Sequence, residues 1–175
     1  LFYSFVGEFL FFPFGDQRSI ADATTFLAEE RRSSTICTVV DLYTDDLKRD
    51  PDGVSIEHAH FDQVGYYATQ RYDGSEPLDR QSDVFGGLKW RFEEHVLWEQ
   101  RRINRVSLFK ADPAVTLDQE LLFTEPEWNT ISCPWHNNLT VSVASFRAAR
   151  GLMHNPGSRH RIHSFMTPKS IPFGW

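Results

Sequence analysis

Two adjacent glycines, Gly86 and Gly87, interrupt a stretch from Asp83 to Lys110 that otherwise reads as strand. Without Cβ atoms they let the backbone turn sharply or approach a ligand closely. Directly after them Lys89 and Arg91 stand two residues apart, a spacing that in an extended segment points both cations to one face. Paired cations beside a flexible loop suit a phosphate-bearing ligand. The plainer reading of the same residues is a β-bulge followed by a solvated strand face.

The flanking sequence alternates strand and helix signals. Leu1–Phe14 is rich in Phe, Tyr, Leu and Val and closes on Pro13 and Gly15, which predicts a buried strand and its exit turn. Ser19 caps a predicted helix to about Arg32, with Asp22 in the first turn and Ile20, Ala23, Phe26 and Leu27 at helical spacing. Ser34–Tyr43 is dense in β-branched residues and predicts an interior strand. Asp41 lies at its end, where open α/β sheets place their ligands; capping of the next turn is the alternative role. Thr44–Ser55, with Pro51 and Gly53, reads as a solvated loop. In an extended segment His58, His60 and Asp62 share a face and offer nitrogen and oxygen donors to a metal; otherwise Asp62 shapes a loop. Val64–Tyr72 resumes strand character, and Asp73–Pro77 breaks it. Past the glycines, Glu93, Glu94, His95 and Glu99 supply titratable groups. Glu93 and Glu94 are candidates for a general base, or else form an exposed acidic turn answered by Arg101 and Arg102. In Cys133–Thr140, His136 offers a metal or sugar contact and the Trp135 ring an apolar platform for a sugar face.

Composition narrows the classes. A chain of 175 residues, 41% hydrophobic, has the size and apolar mass of one domain. Its net charge of −6 is uneven: residues 1–87 carry 7 Lys+Arg against 16 Asp+Glu, and residues 88–175 carry 11 against 8. No dense basic stripe argues for nucleic acid. Cys37 and Cys133 are too few for a disulfide framework, and no apolar run has the length of a membrane span. A cytoplasmic protein with reduced thiols is expected. The start at Leu1, directly inside an apolar run, suggests a truncated reading frame.

Gly86, Gly87, Lys89 and Arg91, followed by Ile103, Arg105 and Leu108, resemble a pattern in bacterial family-2-like glycosyltransferases of the GT-A fold. There a Gly-Gly-x-Arg-x-Arg stretch precedes a Leu-x-Lys-x-Pro-Leu strand; Ser107 stands here in place of the proline. Glu8–Phe14, Asp41–Tyr43 and Phe61–Tyr66 fall in the same order, so the likeness covers roughly residues 5 to 150. The resemblance implies an α/β fold: a partial GT-A-like mixed sheet flanked by helices over residues 1–150, the nucleotide-binding first part lying upstream. From Gly151 onward Pro, Gly, Ser, His and Arg dominate, which predicts a flexible tail over 151–175. It implies transfer of a sugar from a nucleotide diphosphosugar to a carbohydrate or other hydroxyl acceptor. Gly86, Gly87, Lys89, Arg91, Arg105, Asp41, Asp62 and Trp135 would touch substrate, and Glu93 or Glu94 would act as base. The family's metal-binding Asp-x-Asp falls on Phe5 and Gly7, and a later histidine falls on Ser145 of Ser145-Phe146-Arg147. Mn²⁺ or Mg²⁺ would therefore rest on Glu8 and His136. The alternative is a catalytically degenerate domain that binds carbohydrate or nucleotide sugar.

Overall fold

A computed structural model describes residues 1–129 and 141–174. The architecture is mixed α/β. Its central element is β2 (Ser34–Asp41), whose Ser-Thr-Ile-Cys-Thr-Val-Val-Asp sequence suits a pleated surface buried on both faces. Four strands form the main sheet in the order β1-β8-β2-β7, where β1 is Glu8–Phe11, β7 Asn104–Phe109 and β8 Val141–Ser145. β2 runs parallel to β8 and antiparallel to β7, and β1 runs antiparallel to β8. On one face Cys37, Val39, Val141 and Val143 pack with Ile103. On the other, Ile36 and Val106 meet Leu122 and Phe123.

Helix α1 (Ile20–Glu29) begins with a reciprocal capping box, Ser19 Oγ accepting from the Asp22 N–H and the Asp22 carboxylate accepting from the Ser19 N–H. Ala23 and Leu27 are its buried contacts, whereas Ile20 faces solvent. Arg31, at φ 55°, turns the chain out of the helix before β2. A small sheet joins β3 (Tyr43–Thr44), β4 (Ala59–Asp62) and β9 (Ser170–Pro172) in the order β3-β4-β9. β5 (Tyr67–Asp73) and β6 (Glu76–Phe85) form an antiparallel hairpin; the break expected over Asp73–Pro77 is confined to Gly74 and Ser75, since Asp73, Glu76 and Pro77 belong to the paired strands. Among the described residues no helix is long and apolar enough to cross a membrane.

Three expectations are corrected. Leu1–Phe14 is not one buried strand: Leu1–Tyr3 pair with the outer side of β7, Val6 is 96% exposed, and only Glu8–Phe11 join the sheet as β1. Lys89 and Arg91 do not lie on a strand, because Gly87–Arg91 form a short helix, α2. The stretch expected as a tail after Gly151 is part of the core: α3 (Arg147–His154) extends into it, and Leu152, Ile162 and Phe165 pack with Tyr43, Leu88 and Ala149. Strand β9 then pairs with β4.

Candidate functional site

The parallel pair β2–β8 ends in Asp41 and Ser145, which stand opposite each other, and Glu8 of antiparallel β1 stands opposite Ser145. Strand register thus places two carboxylates and a hydroxyl in one row, on one face, at the carboxyl end of the parallel pair. A cavity of about 560 Å³ opens over this row. α2 contributes Lys89, α3 contributes Arg147 and Gly151, and the segment before β7 contributes His95, Glu99 and Arg102 to its walls. Arg105 reaches it from β7.

Asp41 is 2% exposed and receives little compensation for its burial. Its Oδ2 accepts the Lys89 backbone N–H at 3.4 Å, and its Oδ1 has no partner among the described residues. Burial therefore pushes its carboxyl up to about 6, against the attraction of the Lys89 ammonium. Burial also pushes the Lys89 ammonium down, and Asp41 opposes that shift. No described acceptor lies within hydrogen-bond distance of Lys89 Nζ, although the side chain lines the cavity.

The paired glycines have a packing role here. A Cβ at Gly86 would collide with the Tyr66 ring, and one at Gly87 would stand 2.7 Å from Asp41 Oδ2. Gly87 also adopts φ 62°, a conformation that L side chains rarely take. These two residues let α2 start directly against Asp41. The Tyr66 hydroxyl is buried without a described partner; burial, and after it the charge of Asp41, holds its proton more tightly than usual.

Glu8 is held by cations. Its side chain is 1% exposed; Arg105 Nη2 donates to Oε2, Ser145 Oγ donates to Oε1 at 3.2 Å, and the Phe5 N–H donates to Oε2 at 2.7 Å. Arg147 Nη1 lies 3.8 Å from Oε1. The Phe5 ring sits 5.0 Å from the Arg105 guanidinium carbon and 3.5 Å from that of Arg147, within reach of cation–π attraction. One carboxylate and two guanidiniums leave this corner with a positive excess. Both Glu8 oxygens are engaged, which does not fit a free ligand for a hard divalent cation. Among the described residues no three His, Cys, Asp or Glu side chains gather to hold a metal. His136 and Trp135 lie outside the described residues.

The other candidates are elsewhere. Arg91 leaves the cavity and forks onto Asp62, with Nη1 3.1 Å from each carboxylate oxygen, while Nη2 donates to the Phe165 carbonyl at 2.6 Å. Asp62 also accepts from the Tyr43 hydroxyl at 2.7 Å. This buried network ties α2 to β3, β4 and the chain before β9, and it takes Asp62 away from His58 and His60. Glu93 is half exposed and paired with Arg101 at 2.9 Å, and Glu94 is exposed, 3.6 Å from the His95 ring. Neither lines the cavity. Arg147 and His95 do line it, without having been assigned a role from sequence. No family model, curated protein or solved structure matches this chain.

Proposed function

We propose that the chain is a glycosyltransferase-like domain of GT-A type that binds a nucleotide diphosphosugar in this cavity and passes the sugar to a hydroxyl acceptor. The observation carrying the reading is the pairing of an ammonium without a described acceptor, Lys89, with a buried carboxylate oxygen without a described donor, Asp41 Oδ1, in one cavity. A phosphorylated sugar satisfies both, since phosphate oxygens accept from Lys89 and a hydroxyl donates to Asp41. The location supports it too, because ligands of open α/β sheets lie at the carboxyl ends of parallel strands.

In this reading Lys89 and Arg147 face the diphosphate and offset the charge that grows on it as the glycosidic bond breaks, with Arg105 held beside them by Glu8. Asp41 takes the proton of the acceptor hydroxyl in place of Glu93 and Glu94. A carboxyl at about 6 is ionised at neutral pH and still basic enough to accept a proton. Mn²⁺ or Mg²⁺ does not fit Glu8, the one expected metal ligand among the described residues, because both of its oxygens are occupied.

That same engagement of Glu8 favours a second reading, in which the cavity binds nucleotide sugar without turning it over. Thermal unfolding with uridine, guanosine and thymidine diphosphosugars, with Mn²⁺ and with a chelator, tests binding. A ligand at 100 times its Kd adds ~2.7 kcal/mol to the native state, which raises the midpoint by roughly 5–10 °C for a chain of this size. One sugar nucleotide should raise it, and Lys89→Met should abolish the rise. A midpoint that none of them moves at millimolar concentration rejects both readings; release of free nucleoside diphosphate with an acceptor present separates transfer from binding.

A further inference from the structure

A second concavity, of about 420 Å³, lies on the other side of α3. Its floor and outer lip are apolar: Phe146 is buried, Phe9 and Val54 are half-buried, and Val6 and Ile56 are 96% and 58% exposed. Its inner edge is a stripe of α3, Arg147, Arg150 and His154 at positions i, i+3 and i+7, which share one helix face. Among the described residues no acidic one lines it, on a chain whose net charge is −6. Arg150 and His154 make no ion pair with a described residue.

Gly151 completes the stripe. It is exposed within α3, and a Cβ there would meet nothing within 4 Å. Glycine inside a helix is destabilising relative to alanine, and no contact with a described residue requires it here. Its missing side chain keeps the groove open where it meets the first cavity, since Gly151 and Arg147 line both.

We propose that this groove binds a single-chain amphiphile with an anionic head, the chain lying over Val6, Phe9, Val54, Ile56 and Phe146 and the head meeting Arg150, His154 and Arg147. The apolar floor accounts for affinity through buried methylenes, and the cationic edge sets the sign of the head. The volume falls within the roughly 300–1,000 Å³ of small-ligand sites. Arg147 also faces the first cavity, but the inference stands on Arg150, His154 and the apolar floor, none of which the sugar-nucleotide reading uses.

The test is calorimetric titration of the whole chain with dodecyl phosphate below its micellar concentration, beside dodecyl maltoside and inorganic phosphate. Dodecyl phosphate should bind saturably at one per chain, inorganic phosphate should not, and the neutral detergent should bind at least about fivefold more weakly. Arg150→Glu should weaken dodecyl phosphate by a similar factor, Arg150→Lys should not, and Val6→Asp should weaken both detergents. Both positions are on the surface, and unchanged thermal midpoints certify the folds. Absence of saturable binding, equal affinity for the neutral detergent, or insensitivity to Arg150→Glu and Val6→Asp overturns the proposal. So does binding to anionic vesicles with none to the monomeric amphiphile, which would assign the edge to a membrane surface.

Discussion

Replacing Asp41 with asparagine removes an ionisation while keeping the side chain's shape, and the structure sets the size of the effect. Asp41 is 2% exposed, one oxygen accepts a long N–H bond and the other accepts none, so burial lifts its carboxyl from 3.8 to about 6. Between those values the folded chain keeps a proton on Asp41 that the unfolded chain has released. Stability therefore falls as pH rises through this interval, because the native state is the one binding more protons. A shift from 3.8 to about 6 corresponds to ~3 kcal/mol once both states are ionised. The attraction of Lys89 is already contained in that value. Asparagine does not titrate, so Asp41→Asn should gain on the parent steadily from about pH 4 to pH 7, by ~2–3 kcal/mol in total. Other carboxylates titrate alike in both proteins and cancel in the difference. Urea unfolding of the pair at intervals from pH 4 to pH 8 measures it directly. Two stability curves that stay parallel within ~0.5 kcal/mol, the usual spread for an inert surface change, would show that Asp41 is solvated or partnered in solution. Asp41 would then carry no unsatisfied oxygen to offer a ligand in the cavity.

Asp62→Ala removes the acceptor for the Arg91 fork and the Tyr43 hydroxyl and leaves both donors buried or nearly so; it should cost ~3 kcal/mol in urea unfolding. Arg91 keeps its bond to the Phe165 carbonyl, so a cycle with Arg91→Ala should give a coupling of at least ~1 kcal/mol, and additive single effects would refute the clamp. Gly87→Ala meets both the left-handed φ of 62° and a contact at 2.7 Å with Asp41 Oδ2, and should destabilise by ~2–3 kcal/mol. Gly74→Ala, at φ 59° with nothing within 4 Å, carries only the backbone strain of ~1 kcal/mol. Equal losses in these two variants would show that α2 does not start against Asp41.

Sequence pattern reached the pieces whose causes are local. Ser34–Asp41 forms a strand because its β-branched residues favour one, and α1 starts at Ser19 because Ser19 and Asp22 cap each other. It failed where a single conformational choice changes every direction that follows. Read as a strand, Lys89 and Arg91 share a face; in the helix Gly87–Arg91 they are separated by roughly 200° about the axis. Lys89 consequently enters the cavity and Arg91 goes to Asp62. The last 24 described residues lack periodicity, yet Ile162 and Phe165 fill a hole between Tyr43, Leu88 and Ala149 that only the folded chain creates. Glu8 shows most clearly what lay out of reach. Alone in sequence it looks like the remnant of a metal site, but its partners are Arg105 and Ser145, 97 and 137 residues away. Those partners are fixed by which strands pair and in what register. The row Glu8, Ser145, Asp41 exists because β1 and β2 both flank β8, and sliding β8 by one residue would turn Ser145 to the opposite face. The chemistry of the cavity is thus a property of sheet register, and any substitution that shifts β8 should abolish it while leaving every charged residue in place.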